Sequence, residues 1–171
     1  ECGAVVDADY SQIELRVLAH ISGDKNMIKA FKDYEDIHAI TASQVFNMPL
    51  EMVTPIMRSR AKAVTFGIVY GIGAFSLAKD IGVSNKEAKH YIESYLAHYS
   101  GVDSYMKNVV EKANADGYVE TMFGRRRNLP ELTSSKHMSR AFGERVARNM
   151  PIQGTAADII KIAMIKVDER M

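Results

Sequence analysis

The chain has 171 residues, of which 47% are hydrophobic and 25% are charged, and this composition is typical of an ordinary globular protein. A net charge of +1 gives no argument for a polyanionic partner of the whole chain, and no apolar segment is long enough to predict a membrane span or a membrane partner. The single cysteine, Cys2, excludes a disulfide framework and is typical of a reducing, cytoplasmic location.

The first residues predict a strand and then a helix. Gly3–Ala8 are β-prone, and Ser11 with Glu14 forms the S-x-x-E pattern that is typical of a capping box at a helix start. Gly23 is expected to end this helix. Its apolar face would consist of Ile13, Val17, Leu18 and Ile21.

Residues 24–117 have a helical pattern almost throughout. Thr54-Pro55 is a cap followed by proline at the first helical position, and it predicts a helix that extends to about Tyr70-Gly71. A second capping box, Ser84-x-x-Glu87, predicts a helix that ends near Gly101. A further helix is expected to end at the last residue of this segment.

The last third predicts a hairpin and then more helix. Tyr118–Met122 and the residues after Phe123-Gly124 are typical of a small β-hairpin. The helical pattern returns at about Ser134, and Asn149-Met150-Pro151 predicts an interruption because the residue before a proline disfavours helical geometry. The helix should resume after Thr155. We therefore expect an α+β, predominantly helical fold with an inserted helical module.

Basic residues are concentrated in the second part of the chain. Residues 58–171 have 18 basic and 12 acidic residues, and the window 121–150 has seven basic and two acidic residues. Such a bias favours phosphate contacts. The run Arg125-Arg126-Arg127 beside the predicted hairpin suits phosphate groups, but taken alone it fits a solvated turn equally well.

A first group of chemistry-bearing residues follows the predicted strand. A carboxylate at a strand end, such as Asp7 or Asp9, is well placed for a hard cation, and Mg²⁺ binds one or two protein carboxylates together with water and substrate phosphates. The alternative is that these aspartates only solvate the strand end and that Glu14 only closes a capping box.

A second group has a spacing of four residues along one predicted helix. Arg58, Lys62, Phe66 and Tyr70 would share one broad face, because each step of four advances only about 40° around an α-helix. Two cations suit a triphosphate, and an aromatic ring offers a stacking surface for a base. The alternative is a solvated basic stripe that leads into core aromatics.

Four blocks in this order and spacing resemble family A DNA polymerases, the bacterial DNA polymerase I type. They are DYSQIELRVLAHISGD, RSRAKAVTFGIVYG, FGRRRNLP and ERVARNMPIQGTAAD, and the resemblance covers essentially all 171 residues. It implies a partial polymerase palm with an inserted helical fingers subdomain. Residues 1–23 and 118–171 would form the palm, and residues 24–117 the fingers.

The resemblance implies a role for several residues near the metal and the sugar. Asp9 would be the first catalytic carboxylate and would bind metal together with the backbone carbonyl of Tyr10. Glu14 would lie under the sugar of the incoming nucleotide and exclude a 2′-hydroxyl, with Gln12 nearby. The cofactor would be Mg²⁺, with two ions in the complete parent enzyme.

The resemblance also implies contacts to the rest of the nucleotide. His38, Arg58 and Lys62 would bind the triphosphate, and Lys62 is a candidate proton donor to the leaving pyrophosphate. Phe66 would pack against sugar and base, and Tyr70 would gate the templating position.

On the nucleic-acid side, Arg145, Asn149 and Gln153 match positions that contact the minor groove, where every base pair presents common acceptors. The expected partners are therefore primer–template DNA and a dNTP. We expect a monomeric parent protein.

One departure from the family pattern limits this expectation. The second metal-binding aspartate of the family lies in a downstream His-Asp-Glu motif, which the 171 residues do not contain. We therefore expect the isolated chain to be inactive as a polymerase. The alternatives are part of a single-subunit RNA polymerase, against which Glu14 and the Lys62–Phe66 spacing argue, and a non-catalytic helical module that binds nucleic acid.

Overall fold

A computed structural model of the chain describes residues 7–170. The strand predicted at Gly3–Ala8 lies almost wholly outside these residues. Within the described part there are eight α-helices and one two-stranded sheet. They are α1 (Ile13–Ser22), α2 (Lys25–Lys32), α3 (Ile37–Phe46), α4 (Pro55–Val69), α5 (Ala74–Ile81), α6 (Asn85–His98), α7 (Ser100–Asp116), β1 (Tyr118–Glu120), β2 (Arg126–Asn128) and α8 (His137–Asp168). Short 3₁₀ turns occupy Leu50–Met52 and Pro130–Thr133. None of the helices between residues 7 and 170 is long and apolar enough to cross a bilayer.

The predicted starts of α4 and α6 are confirmed. The hydroxyl of Thr54 accepts a hydrogen bond from the backbone N–H of Met57, and Pro55 takes the first helical position. At α6 both halves of the capping box form, because Ser84 accepts from the N–H of Glu87 while the Glu87 carboxylate accepts from the N–H of Ser84.

The capping box predicted at α1 is wrong. The N-cap is Gln12, in the left-handed region with φ 55°, and its side chain forms no capping hydrogen bond. The helix therefore begins one residue later than a Ser11 cap requires, and Glu14 takes the second helical position instead of the third. Ser11 contributes only its carbonyl oxygen, which accepts from Nε of Arg16 at 3.0 Å. The predicted end of α1 at Gly23 is confirmed.

The boundary predicted near Gly101 is displaced. Helix α6 ends at His98, and Gly101 lies inside α7, which ends before Gly117 as predicted. Gly101 permits a close approach to α2, because a Cβ atom there would lie 2.8 Å from Cα of Asp24. The N–H of Gly101 donates to Oδ2 of Asp24 at 2.9 Å, and Oδ1 of Asp24 caps α2.

The interruption predicted at Pro151 is also wrong, because Pro151 lies inside α8, which is one continuous helix of 32 residues. A proline inside a helix removes one backbone hydrogen bond and costs about 3 kcal/mol. Met150, Pro151 and Ile152 are all buried, and α8 packs against α1, α7 and β1. We infer that this tertiary packing outweighs the local cost.

The predicted hairpin is confirmed, since β1 and β2 pair antiparallel with Tyr118 opposite Asn128.

Two hydrophobic clusters hold the fold together. The larger joins α1–α7 with Ile152 and Ala156 of α8, and the smaller joins α7, β1 and α8 around Val119 and Leu129. The α+β, predominantly helical fold class is confirmed.

Candidate functional site

Arg58, Lys62 and Phe66 of α4 and Tyr70 at its C-cap follow one another at intervals of four residues, and we call this set the ladder on α4. Nζ of Lys62 lies 5.8 Å from the ring centroid of Phe66, within the range of a cation–π contact. The rings of Phe66 and Tyr70 are stacked, with centroids 5.9 Å apart and an interplanar angle of 21°. The predicted shared face is therefore present, with cationic groups towards the N-terminus and aromatic rings towards the C-terminus.

Helix α3 adds His38 to this ladder. The His38 ring centroid lies 6.1 Å from that of Phe66, and the side chain is buried. Burial and the nearby Arg58 guanidinium lower the pKa of His38 from its ordinary value, so the imidazole is mainly neutral at pH 7. Its buried Nδ1 has no hydrogen-bond partner among residues 7–170, which leaves it able to bind a ligand.

Sequence reasoning missed Asp36, which connects α3 to the ladder. Its Oδ1 accepts from the N–H groups of His38 and Ala39, and its Oδ2 accepts from Nε of Arg58 at 2.6 Å. Partial burial opposes ionisation of Asp36, but the hydrogen bond from Arg58 and the two backbone donors together lower its pKa. The sequence shows an aspartate two residues before His38, but it does not show that this aspartate pairs with a residue of another helix.

The residues before α1 line an open cavity of about 570 Å³. Asp9, Tyr10 and Ser11 meet Met122 of the hairpin and Ile159 of α8 there, and the side chains of Asp9 and Tyr10 are exposed. Within residues 7–170 no group of three or more acidic, histidine or cysteine side chains could hold a metal ion. A single exposed carboxylate such as Asp9 nevertheless suits Mg²⁺, which keeps most of its sites for water and phosphate.

Gln12 and Glu14 follow directly at the start of α1. The Oε1 atom of Gln12 is buried and has no hydrogen-bond partner among the described residues. Glu14 is partly buried in the first turn of the helix. Among the described residues, neither side chain therefore uses its polar groups to cap α1.

Two of the three α8 residues predicted to contact DNA, Arg145 and Asn149, lie next to the end of α4. Nδ2 of Asn149 is 3.4 Å from the carbonyl oxygen of Val69, and Arg145 packs against Gly71, where a Cβ atom would lie 3.0 Å from Cγ of Arg145. Gln153 is exposed one further turn along α8. The structure thus brings Arg145 and Asn149 to the aromatic end of the α4 ladder.

The arginine run divides into different environments. Nε of Arg125 donates to Asp158 at 2.9 Å and its Nη2 donates to the carbonyl of Gly154 at 3.0 Å, which ties the hairpin to α8. Arg126 pairs with Glu120 across the hairpin. Arg127 is exposed and forms no ion pair with the residues described, so it is the arginine of this run most available to a phosphate.

Comparison with known proteins identifies a family. The sequence profile of DNA polymerase family A matches residues 1–171. DNA polymerase I of Mycobacterium leprae (strain TN) is 50% identical over 167 residues, and DNA polymerase I of Caldicellulosiruptor bescii is 52% identical over 167 residues. Each alignment covers 98% of this chain but only 18% and 20% of the respective relative, so the chain spans a minor part of these proteins.

A solved structure has the same fold. The POL domain of Pol1 from M. smegmatis, in complex with DNA primer-template and dNTP, superposes with a TM-score of 0.90 at 49% sequence identity. The match covers 95% of this chain and 29% of that domain. The resemblance inferred from the four sequence blocks is confirmed by these matches.

Proposed function

Because this chain belongs to DNA polymerase family A, we propose that it supplies part of the active site of a DNA-directed DNA polymerase. In this proposal the enzyme adds dNTPs to a primer 3′ end. Residues 1–23 and 118–171 belong to the palm, and residues 24–117 belong to the fingers. Helix α7 contacts α1, β1 and α8, and it therefore supports the junction between these two parts.

The observation that carries the proposal is the ladder on α4. Arg58 and Lys62 provide the positive charge that a triphosphate requires, and the adjacent Phe66 provides a flat surface for sugar and base. His38 completes the phosphate side from α3. Tyr70, at the end of the stack, gates the templating position.

The reaction joins the primer 3′-oxygen to the α-phosphorus of the dNTP and breaks the bond to pyrophosphate. Lys62 holds the phosphates and donates a proton to the departing pyrophosphate. Asp9 and the backbone carbonyl of Tyr10 would hold Mg²⁺. Bound Mg²⁺ would supply positive charge for activating the 3′-hydroxyl and for neutralising the leaving group, as in two-metal phosphoryl transfer. Family A polymerases are metal-dependent in general.

The remaining residues select the sugar and hold the DNA. Glu14, with Gln12 beside it, excludes a 2′-hydroxyl from the incoming nucleotide. Arg145, Asn149 and Gln153 contact the primer–template in the minor groove, where the shared acceptors allow pairing to be checked without reading sequence. The position of Arg145 and Asn149 beside the end of α4 supports this assignment, because base pair and nucleotide must meet there.

A photoreactive dNTP tests the proposal in the polymerase that contains this chain. We expect the label on the segment from Arg58 to Tyr70, and we expect Lys62→Ala to reduce it. Labelling confined to residues 121–150 would instead support a non-catalytic nucleic-acid-binding module. A preference for rNTP over dNTP in primer extension would support a single-subunit RNA polymerase.

We further propose that a polypeptide of residues 1–171 alone does not synthesise DNA. These residues include Asp9 but no His-Asp-Glu motif, so only one of the two expected metal-binding carboxylates is present. Template-dependent primer extension by the purified polypeptide with Mg²⁺ would contradict this proposal.

A further inference from the structure

One carboxylate joins the helix that carries His38 to the helix that carries Arg58 and Lys62. Oδ1 of Asp36 is fixed at the N-terminus of α3 by the backbone N–H groups of His38 at 3.0 Å and Ala39 at 3.2 Å. Its Oδ2 accepts from Nε of Arg58 at 2.6 Å, across 22 residues of sequence. The capping bonds hold the carboxylate still, so it can in turn restrain a mobile side chain.

The bond uses only one edge of the Arg58 guanidinium. Among the described residues, Asp36 is the only hydrogen-bond partner of the Arg58 guanidinium, and the contact is made through Nε. The two terminal nitrogens, Nη1 and Nη2, therefore remain available. A guanidinium fork with both terminal nitrogens free matches two oxygens of a phosphate group.

We propose that Asp36 is a positioning residue that holds Arg58 ready to bind the triphosphate of the incoming nucleotide. This inference rests on the proposed polymerase function. An unrestrained arginine has many rotamers and loses that freedom when it binds a phosphate, whereas Asp36 imposes the restriction in advance. Asp36 thereby aligns Arg58 with His38, because the same carboxylate caps the helix on which His38 lies.

A purely structural role for the ion pair is a weaker explanation. The Arg58 and Asp36 side chains are 44% and 43% exposed, and ion pairs with this exposure add little to folding stability. A competing role for Asp36 predicts the opposite change in nucleotide affinity. If Asp36 occupied the phosphate position of Arg58, its removal would tighten nucleotide binding.

The test is a double-mutant cycle in the complete polymerase that contains this chain, with the dNTP dissociation constant measured by single-turnover primer extension. Asp36→Ser keeps a capping oxygen but is too short to reach Arg58. Asp36→Asn keeps both the cap and an acceptor. Asp103→Ser is the matched control, because Asp103 is also in the first turn of a helix and, within residues 7–170, forms an ion pair only with exposed Lys107.

We expect Asp36→Ser to weaken dNTP binding by about 3- to 10-fold, the range for losing a pre-ordered charged contact. Asp36→Asn should weaken it less, and Asp103→Ser should leave it unchanged. In an Arg58→Ala background, Asp36→Ser should have no further effect, because there is no guanidinium left to position. A merely structural role would weaken binding equally in both backgrounds.

The possible results distinguish a failure of the positioning role of Asp36 from a failure of the proposed function. Unchanged or tighter dNTP binding by Asp36→Ser, or an effect that persists with Arg58→Ala, overturns the positioning role while the proposed function stands. Unchanged binding by Arg58→Ala alone removes Arg58 from the proposed triphosphate site, and the positioning role with it, whereas a failure of the unmodified polymerase to extend a primer with dNTPs would overturn the proposed function.

Discussion

Gly154 and Gly67 are both inside helices, yet the structure predicts opposite effects for the same substitution. A Cβ atom at Gly154 would lie 2.6 Å from Cγ2 of Thr121, a distance that real side chains do not adopt. At Gly67 the nearest atom would be Cδ1 of Leu77 at 3.5 Å, an ordinary van der Waals contact. Gly154→Ala should therefore destabilise the fold, and Gly67→Ala should stabilise it.

The magnitude follows from two opposing contributions. Alanine in place of a mid-helix glycine gains about 1 kcal/mol. Overpacking of a buried site costs about 1–3 kcal/mol, and Thr121 cannot easily rotate away because its hydroxyl accepts from the N–H groups of Phe123 and Arg125. We expect a net loss of up to about 2 kcal/mol for Gly154→Ala and a gain of up to about 1 kcal/mol for Gly67→Ala.

Thermal unfolding of the polymerase that contains this chain, followed by circular dichroism at 222 nm, measures both effects. Thr121→Ser provides the decisive control, because it removes the clashing methyl and keeps the hydroxyl. Gly154→Ala should cost less in the Thr121→Ser background than in the wild type. Equal costs in the two backgrounds would refute the steric argument.

Two further predictions concern a charge and a cap. Lys62→Ala should reduce the single-turnover rate by about 100-fold or more, as expected for the loss of a proton donor. Arg60→Ala removes the same charge from another face of α4 and should have little effect. Comparable losses for the two variants would mean that only the charge of the helix matters. Ser84→Ala should reduce the free energy of unfolding by about 1 kcal/mol through loss of the capping box. Ser104 is an exposed serine of α7, and Ser104→Ala should leave the stability unchanged. Equal melting temperatures for the two variants would contradict the stabilising role of the cap.

Local signals predicted the elements whose causes are local. Thr54-Pro55 and Ser84-x-x-Glu87 both start helices because each cap is made by neighbouring residues. The shared face of Lys62, Phe66 and Tyr70 also follows from helix geometry alone.

The failures have tertiary causes. Helix α8 continues through Pro151 because packing on both sides of the proline outweighs the local preference of Asn149-Met150-Pro151 to interrupt a helix. Gly101 indicated a helix end, but its function is to let α7 approach Asp24, 77 residues away. The pairing of Asp36 with Arg58 could not be predicted for the same reason, since it depends on how α3 packs against α4.

The absence of a capping box at the start of α1 removes one of the two roles predicted for Glu14. The sequence allowed two roles for this carboxylate, closing a cap with Ser11 or excluding a 2′-hydroxyl. Because the N-cap is Gln12, without a side-chain cap, Glu14 has no part in a capping box. Its remaining local contribution is a favourable charge in the first turn, which is worth about 0.3–1 kcal/mol.

The sugar-selection role therefore predicts a change in specificity that is larger than any change in stability. In the polymerase that contains this chain, Glu14→Ala should raise rNTP use relative to dNTP use by about 5- to 150-fold, because a 2′-hydroxyl that is clashed or badly paired costs about 1–3 kcal/mol. Glu14→Gln, which has nearly the same size, should retain more of the discrimination. The measurement is the ratio of kcat/KM for dCTP and CTP in the three proteins, with Tm as the control. A constant ratio with a lower Tm would mean that Glu14 only stabilises the first turn of α1, and the partly buried carboxylate would have no role in choosing the sugar.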